Sequence, residues 1–478
     1  LASANQSFNV RAFVRVDVCM LVSNDVRGDP RVTKEARALA RAGYAVGVVG
    51  ISPKPYMAIR PVRWEATEDG YSVCLLPHED VGGNWERHHL TYFALDLMHV
   101  RDLFERPRLW RGVRKAVNAT HKLQRWAGLE TVRPSPWHPE PGIDPRLARQ
   151  HELLMSTVDR HRAYSARMAM AAISVRPRVV HAHDLDTLEA GAWIARATGA
   201  ALVFDAHEIF WQQLADGEAP VEWIEFYRAL EAKLIHRADR VLTVSESIAD
   251  FFEATHGIRR PLVIRNAIEI PASLETPPLR RSRAPVEVLF HGGLARDRGL
   301  EELVEAARAF EGAHLVIRGS GPIEQELRRL GGDRVRFEPP VPMAEVVAAA
   351  SASDIGVIPY KPVCLNNRLA MPNKLFEYLA AGLAIAGSDL LEIRRIVEKD
   401  RVGVVLDPGS ASSIALAVNR LAADPEALTE MRQRARHAAA TKHNWAVDAE
   451  ALVEMYRTLL PRSWRRSFVR LMTGRARI

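Results

Sequence analysis

The sequence predicts an α/β chain of two parallel-sheet, Rossmann-like domains. Strand-and-helix alternation opens at Val14–Val22 and runs, with one interruption, to Leu262–Arg265. The segment from Pro271 to Pro285, which also holds Pro277 and Pro278, carries charges and no apolar period, as a linker does. The same alternation then starts afresh at Val286–Phe290. With 478 residues the chain is long enough for two such domains, and 47% hydrophobic with 26% charged residues is a globular composition.

In chain order, residues 1–13 read as a disordered leader before the apolar strand Val14–Val22. A polar turn, Ser23 to Asp29, leads to Pro30 at a first helical position with Asp29 as cap. Val32, Ala36, Leu39 and Ala40 share one helix face, Gly43 ends it, and Ala45–Val49 is the next strand. Only Gly28 lies in the turn, so the glycine-rich dinucleotide fingerprint is missing, which argues against a nicotinamide-cofactor domain. Tyr71–Leu76 is a further strand. Residues from about 84 to 174 read as a helical insertion. It holds an Arg- and Trp-rich stretch, a proline-rich loop from Pro134 to Pro145 and a long helix from Arg146 to about Ser174. The alternation resumes with Arg178–Ala182, ending in His181-Ala182-His183-Asp184, and with Ala201–Phe204, ending in Asp205-Ala206-His207-Glu208. Both polar clusters lie at carboxyl strand ends, where ligand crevices form in open parallel sheets. Helix Val221–Ala238, strand Val241–Val244 and helix Ser245–Thr255 complete this half.

In the second half, His291-Gly292-Gly293 to Arg298-Gly299 follows the first strand, and Gly319-Ser320-Gly321 follows strand His314–Ile317. Strands Val335–Phe337 and Ile355–Ile358 precede the stretch Pro372 to Gly382. There Leu375, Phe376, Leu379 and Ala380 face a core at helical spacing, Gly382 stops the helix and Leu383–Ala386 is a buried strand. Lys374 and Glu377 sit at or just inside the helix start, where free backbone N–H groups favour an anion. A lysine there repels the helix dipole unless an anion lies between, and a carboxylate one turn in suits a pair of sugar hydroxyls. Phosphate plus ribose describes a nucleotide. Gly292 and Gly293 let the backbone approach a phosphate, Arg298 and Lys374 would neutralise a diphosphate from opposite sides, and Gly319 and Gly321 suit a base or ribose. Strand Val402–Leu406 and helices through Leu460 follow.

Several classes are disfavoured. Cys19, Cys74 and Cys364 make neither a metal-ligand pattern nor a disulfide framework, which points to a reducing cytosol. Asp184 and Asp186 spell a metal-type Asp-x-Asp but lie in the other half from the diphosphate loops, and no Gly-x-Ser-x-Gly elbow is present. No apolar run reaches bilayer-spanning length, and Leu1–Val10 lacks the charged-then-apolar order of a signal peptide. The net charge of +7 is concentrated in a tail with Arg462, Arg465, Arg466, Arg470, Arg475 and Arg477 around Trp464 and Phe468. That tail reads either as a peripheral contact with an anionic membrane or as a solvated end.

Pro372-Asn373-Lys374-Leu375-Phe376-Glu377-Tyr378, followed by Ala381-Gly382-Leu383, resembles the donor-site helix of family 4 glycosyltransferases. Those are retaining enzymes of the GT-B fold that use nucleotide-activated sugars. The resemblance extends over roughly Val16–Gly50, Val179–Asn266 and Val286–Tyr456. It implies two Rossmann-like domains facing each other across a cleft: an acceptor domain at 14–273 with the helical insertion, a linker at 274–285, a nucleotide-sugar domain at 286–444, and a crossover helix with basic tail at 445–478. It places the donor on Gly292, Gly293, Arg298, Gly319, Gly321, Asn373, Lys374 and Glu377, with Glu377 on the ribose and Arg298 in place of the family's phosphate lysine. His183 matches the family histidine near the donor sugar, so His183, Glu377, Lys374 and Arg298 form the expected catalytic set. Asn24, Asp25, Arg31, Asp184 and His207 fall on the acceptor side. The sequence departs from the family twice. Gly293 stands where many members carry an arginine, for which Arg368 is a substitute, and Leu369 stands where a first glutamate is usual, its role passing to Asn366, Asn367 or a backbone amide of that loop.

The expected chemistry is glycosyl transfer from a nucleoside diphosphate sugar to an unidentified acceptor hydroxyl, with retention and with no metal, cofactor or nucleic-acid partner. The expected location is the cytoplasm, with the tail offering contact to the inner face of the membrane. Two other readings share these residues: a nucleotide-sugar epimerase on the same fold, and a non-catalytic nucleotide-sugar-binding scaffold, motivated by Leu369 and Gly293.

Overall fold

The computed structural model describes residues 16–55, 64–78, 142–270, 285–369 and 371–460. The expected leader, the insertion before residue 142, nearly all of the proline linker and the basic tail lie outside these residues.

An eight-stranded sheet is built from β1 (Val18–Leu21), β2 (Val46–Pro55), β3 (Trp64–Ala66), β4 (Ser72–His78), β5 (Val179–His183), β6 (Ala201–Ala206), β7 (Arg240–Thr243) and β8 (Leu262–Val263). Its order is β3-β4-β2-β1-β5-β6-β7-β8. β1 pairs in parallel with β2 and β5, and β5 with β6. Every residue of β1 is buried, as a strand covered on both faces requires. β3 runs antiparallel to β4. The sequence did not mark β3, whose three residues are too few to show an apolar period. The helix Pro30–Arg41 begins as its spelling predicts: the Asp29 carboxylate accepts from the Arg31 and Val32 N–H groups. The long helix Pro145–Ile173 is present, started by Asp144.

A six-stranded parallel sheet holds β9 (Val286–His291), β10 (Ala313–Arg318), β11 (Val335–Glu338), β12 (Ile355–Ile358), β13 (Ala384–Ser388) and β14 (Gly403–Leu406), in the order β11-β10-β9-β12-β13-β14. Alternate residues of each strand feed two cores. Val288, Phe290, Leu315, Ile317 and Val357 meet helices Leu300–Ala306, Glu324–Gly331 and Ala411–Ala422. Leu289, Val316, Ile358 and Ile385 meet helices Asn373–Ala381, Leu391–Lys399 and Pro425–Thr441. Strand order reverses between β9 and β12, and the crevice outside their carboxyl ends is where a doubly wound sheet binds its ligand. The helices Leu365–Leu369 and Leu391–Lys399 were not marked by the sequence reading.

Contact density divides the chain into two compact units. One comprises residues up to Asp205 with Pro220–Val241 and the chain from Met455; the other comprises Ala206–Ala219 and Leu242–Glu454. No described helix is long and apolar enough to cross a membrane.

Candidate functional site

At the switch point of the six-stranded sheet lies a cavity of about 530 Å³. Its lining includes His291, Gly292, Arg298, Arg318, Tyr360, Asn366, Asn367, Asn373, Lys374 and Glu377, with Pro340, Val341, Met343 and Val346 as an apolar edge. These residues come from the carboxyl ends of β9 and β10, the loops after β11 and β12, and the start of helix Asn373–Ala381. Lys374 Nζ donates to the Tyr360 hydroxyl at 2.8 Å and lies over the Phe290 and Tyr360 rings, 5.1 and 5.2 Å from their centroids. The Arg298 guanidinium stacks on the same Tyr360 ring at 4.4 Å. Neighbouring cations are each matched to a carboxylate: Lys361 to Glu302, Arg296 to Glu326 and Arg318 to Glu338. Among the described residues Arg298 and Lys374 have no such match.

Glu377 lies one turn into the helix with its Oε2 2.8 Å from His291 Nε2. The His291 ring stacks on Tyr378, at 4.8 Å between centroids. The Tyr378 hydroxyl accepts from the His291 backbone N–H and donates to the Leu289 carbonyl. Burial pushes the Tyr378 phenol well above its usual pKa, so it stays neutral in this role. His291, Arg318 and Glu338 stand in register across β9, β10 and β11, so one row of polar side chains follows the sheet edge.

The predicted donor residues divide into two groups. Gly292, Arg298, Asn373, Lys374 and Glu377 line the cavity. Gly293 is exposed with open space around it. Gly319, at φ +154°, packs so that a Cβ would fall on the Gly292 carbonyl oxygen, and a Cβ on Gly321 would fall on that of Leu294. These two glycines allow the loops to cross and are not among the lining residues. Arg368 turns to Asp216, donating through Nη2 at 2.9 Å, and Arg318 is the further cation in the cavity wall. Leu369 anchors the loop through its backbone, its carbonyl accepting from Ser245 Oγ at 2.8 Å. Asn366 Oδ1 accepts from the Ile209 N–H, and Asn367 Nδ2 donates to the Lys361 carbonyl. Sequence reasoning passed over His291, Arg318 and Tyr360. Each stands at or just beyond a strand's carboxyl end, and that position was the available signal.

A second polar centre lies inside the other unit. Arg31, placed by the sequence on the acceptor side, is buried here, donating through Nε and Nη2 to the two oxygens of Asp205 at 2.8 and 2.7 Å. Its Nε is also 3.2 Å from Glu35. Burial opposes the charge on Arg31, but Asp205 and Glu35 more than offset it and raise its pKa. His183 Nδ1 lies 3.2 Å from Asp205 Oδ2, and its ring stacks on His181 at 4.3 Å. The Tyr456 phenol, held protonated by burial and by Glu35 and Asp205, shares a hydrogen bond of 2.8 Å with His181 Nδ1. Burial first, then His183, lowers the His181 pKa from 6.5 to about 3. Glu35, His181, His183 and Asp205 bring ligand atoms within 4.8 Å of one another, as a metal site would. The Arg31 guanidinium takes both Asp205 oxygens and lies against Glu35, offsetting one of the two carboxylate charges. Arg31 and Glu35, one turn apart on one helix, Asp205 and Tyr456 reach this cluster from three separate stretches of chain, which sequence spacing alone does not connect.

Of the remaining predicted acceptor-side residues, Asp184 adjoins this cluster, its charge helping to raise the Arg31 pKa. Asn24 and Asp25 close their own turn, with Asn24 Oδ1 accepting from the Val26 N–H and Asp25 Oδ1 from the Gly28 N–H. Asp184 follows β5 at a positive φ of 60°. His207 is half-buried just after β6 and belongs to the other unit from Arg31.

Comparison with known proteins bears on this arrangement. Residues 285–424 match the family described as Glycosyl transferases group 1, and residues 130–272 match Glycosyltransferase Family 4. The chain is 26% identical to alpha-maltose-1-phosphate synthase of Mycolicibacterium smegmatis, over 58% of this chain and 78% of that one. It is 27% identical to D-inositol 3-phosphate glycosyltransferase 1 of Catenulispora acidiphila, over 59% and 72%. Among solved structures it resembles sucrose-phosphate synthase from Thermosynechococcus elongatus, with a TM-score of 0.61 at 16% identity over 93% of this chain and 99% of that one. Anabaena HepE, solved in complex with UDP and glucose, gives a TM-score of 0.58 at 12% identity over 93% and 100%. Taken together, the two matched regions and the two parallel α/β sheets make this chain a GT-B glycosyltransferase of the group 1/family 4 type.

Proposed function

We propose that the cavity at the β9/β12 switch point holds a nucleoside diphosphate sugar, whose glycosyl group passes to an acceptor hydroxyl. The observation that carries this reading is the pair Arg298 and Lys374, two cations drawn to one tyrosine with no carboxylate match among the described residues. Their charge would stabilise the leaving diphosphate without a metal, because preorganised cations offset charge as it develops in the transition state. Glu377, held through one oxygen by His291, would present the other to the ribose hydroxyls. The apolar edge at Val341 and Met343 suits the face of a base. Asn366 and Asn367 line the cavity where the family's first glutamate is replaced by Leu369, and they would take the sugar end. His183, oriented by Asp205, would be the family histidine near the transferred sugar, and retention follows from the family resemblance. Relatives and neighbours that bind UDP or act on sugar phosphates support a nucleotide-sugar donor.

The test is a thermal-shift screen of uridine, guanosine, thymidine and adenosine diphosphates and their sugars, repeated on Glu377→Ala. A ligand at a hundredfold over Kd adds about 2.7 kcal/mol of stability, which is readily seen. One nucleotide series should raise the melting temperature, and Glu377→Ala should remove the rise. Absence of any shift would overturn the nucleotide reading, a shift without glycosyl transfer would favour the scaffold, and epimerised sugar nucleotide formed without acceptor would favour the epimerase.

A further inference from the structure

We propose that Tyr360 is a third diphosphate-contact residue: its hydroxyl donates to the β-phosphate while the same side chain holds both phosphate cations. The inference rests on the nucleoside diphosphate reading above and adds a residue to it. An ammonium group has donors only. In the 2.8 Å contact with Lys374 Nζ the Tyr360 oxygen is therefore the acceptor, and its own O–H is left to donate elsewhere. Tyr360 is half-buried in the cavity wall. A phosphate oxygen arriving between Lys374 and Arg298 is the acceptor that this geometry suits.

The ring has a separate task. The Arg298 guanidinium carbon lies 4.4 Å from its centroid, a cation–π contact that restrains the side chain without using up its N–H donors. The loop contacts around Tyr360 are themselves specified. A Cβ on Gly299, at φ +65°, would fall on the Pro359 carbonyl oxygen, so only glycine lets the Arg298 loop approach the tyrosine this closely. The Lys361 N–H donates to the Asp297 carbonyl at 3.1 Å, fixing Tyr360 from its other side. Two cations from different loops are thus registered against one side chain before any ligand binds.

The test separates hydroxyl from ring and one phosphate from two. Calorimetry on the full chain first identifies which of UDP, GDP, dTDP and ADP binds most tightly; that diphosphate and its monophosphate are then titrated into wild type, Tyr360→Phe and Tyr360→Leu. Tyr360→Phe keeps the ring and should weaken the diphosphate about tenfold, equal to about 1.4 kcal/mol, while changing the monophosphate by less than about twofold. Tyr360→Leu should weaken the diphosphate by about a further tenfold as both cations lose their support. Glu377→Ala should weaken di- and monophosphate by the same factor, since both carry the ribose. Wild-type affinity in Tyr360→Phe, or an equal loss for both ligands, overturns the role of Tyr360 and leaves the nucleotide reading standing. If none of the four diphosphates binds the wild type, the nucleotide reading fails and the inference fails with it.

Discussion

Replacing His291 by Phe tests whether Glu377 is a ribose ligand set in place by its neighbour. The substitution keeps an aromatic ring against Tyr378 and leaves the backbone N–H of residue 291 to the Tyr378 hydroxyl, so the fold around β9 has what it needs. What it removes is the Nε2 atom 2.8 Å from Glu377 Oε2. The Glu377 side chain is 15% exposed and would lose the imidazole beside it, a polar contact to a charged group worth about 1.5–3 kcal/mol. Part of that cost is recovered by water entering the open cavity, so the expected loss in nucleotide affinity is about 1.5–2 kcal/mol, or roughly ten- to thirtyfold. The loss should be specific to the ribose. Titration calorimetry with the ribonucleoside diphosphate and its 2′,3′-dideoxy analogue should show His291→Phe erasing most of the preference for the former. Glu377→Gln should do the same, and the double variant should be little worse than either single one, a coupling of about 1–2 kcal/mol. Strict additivity, or unchanged discrimination in His291→Phe, would refute the positioning role of the histidine.

Three further outcomes are expected. Arg31→Met leaves Asp205 and Glu35 buried without their cation and should cost about 3–5 kcal/mol in urea unfolding, with nucleotide binding retained. Stability should fall on acidification from about pH 6.5 towards about pH 3, because unfolded His181 takes up a proton that the folded ring refuses until about 3. The unfolded state then binds more protons, and the contribution of this group is at most roughly 5 kcal/mol. Asp205, Glu35, Arg31, His183 and Tyr456 all face His181, so the measurement is the difference in slope between wild type and His181→Phe across that window. Gly319→Ala forces a Cβ onto the Gly292 carbonyl at a backbone angle that suits glycine, and should lower stability by about 2 kcal/mol or more in thermal unfolding.

Much of the fold was legible because its strands are short apolar runs between glycine and proline signals. Ile355–Ile358 emerges with the predicted bounds, and Asp29 caps the first helix as its spelling requires. The elements that escaped are those whose pattern is too brief or whose capping is backbone-based: β3, and the helices Leu365–Leu369 and Leu391–Lys399. In the site, Lys374, Glu377 and Arg298 were legible because a charge at a helix start or glycine loop is unusual for packing. Tyr360, His291 and Arg318 were passed over because single residues after apolar strands look like ordinary strand ends. Gly319 and Gly321 show the reverse error available to sequence reasoning. A glycine needed where two loops cross has the same spelling as one that cradles a phosphate, and only the Gly292 and Leu294 carbonyls beneath them tell the two apart.

The two polar centres follow opposite charge rules. In the buried cluster the two carboxylates are met by Arg31, and His181 is bonded to the Tyr456 phenol. Such a centre fixes geometry, here the placement of His183 beside Asp205 at the end of β5. In the cavity the balance is left open. Arg298 and Lys374 are brought to one ring, and among the described residues neither is matched to a carboxylate. The substitution at Leu369 fits this separation. Its carbonyl, not its side chain, ties the loop to Ser245, so the missing glutamate removes nothing that the loop needs for folding. The change therefore falls on the loop that carries Asn366 and Asn367, and the contacts of Lys374 with Tyr360 and of Glu377 with His291 do not involve Leu369.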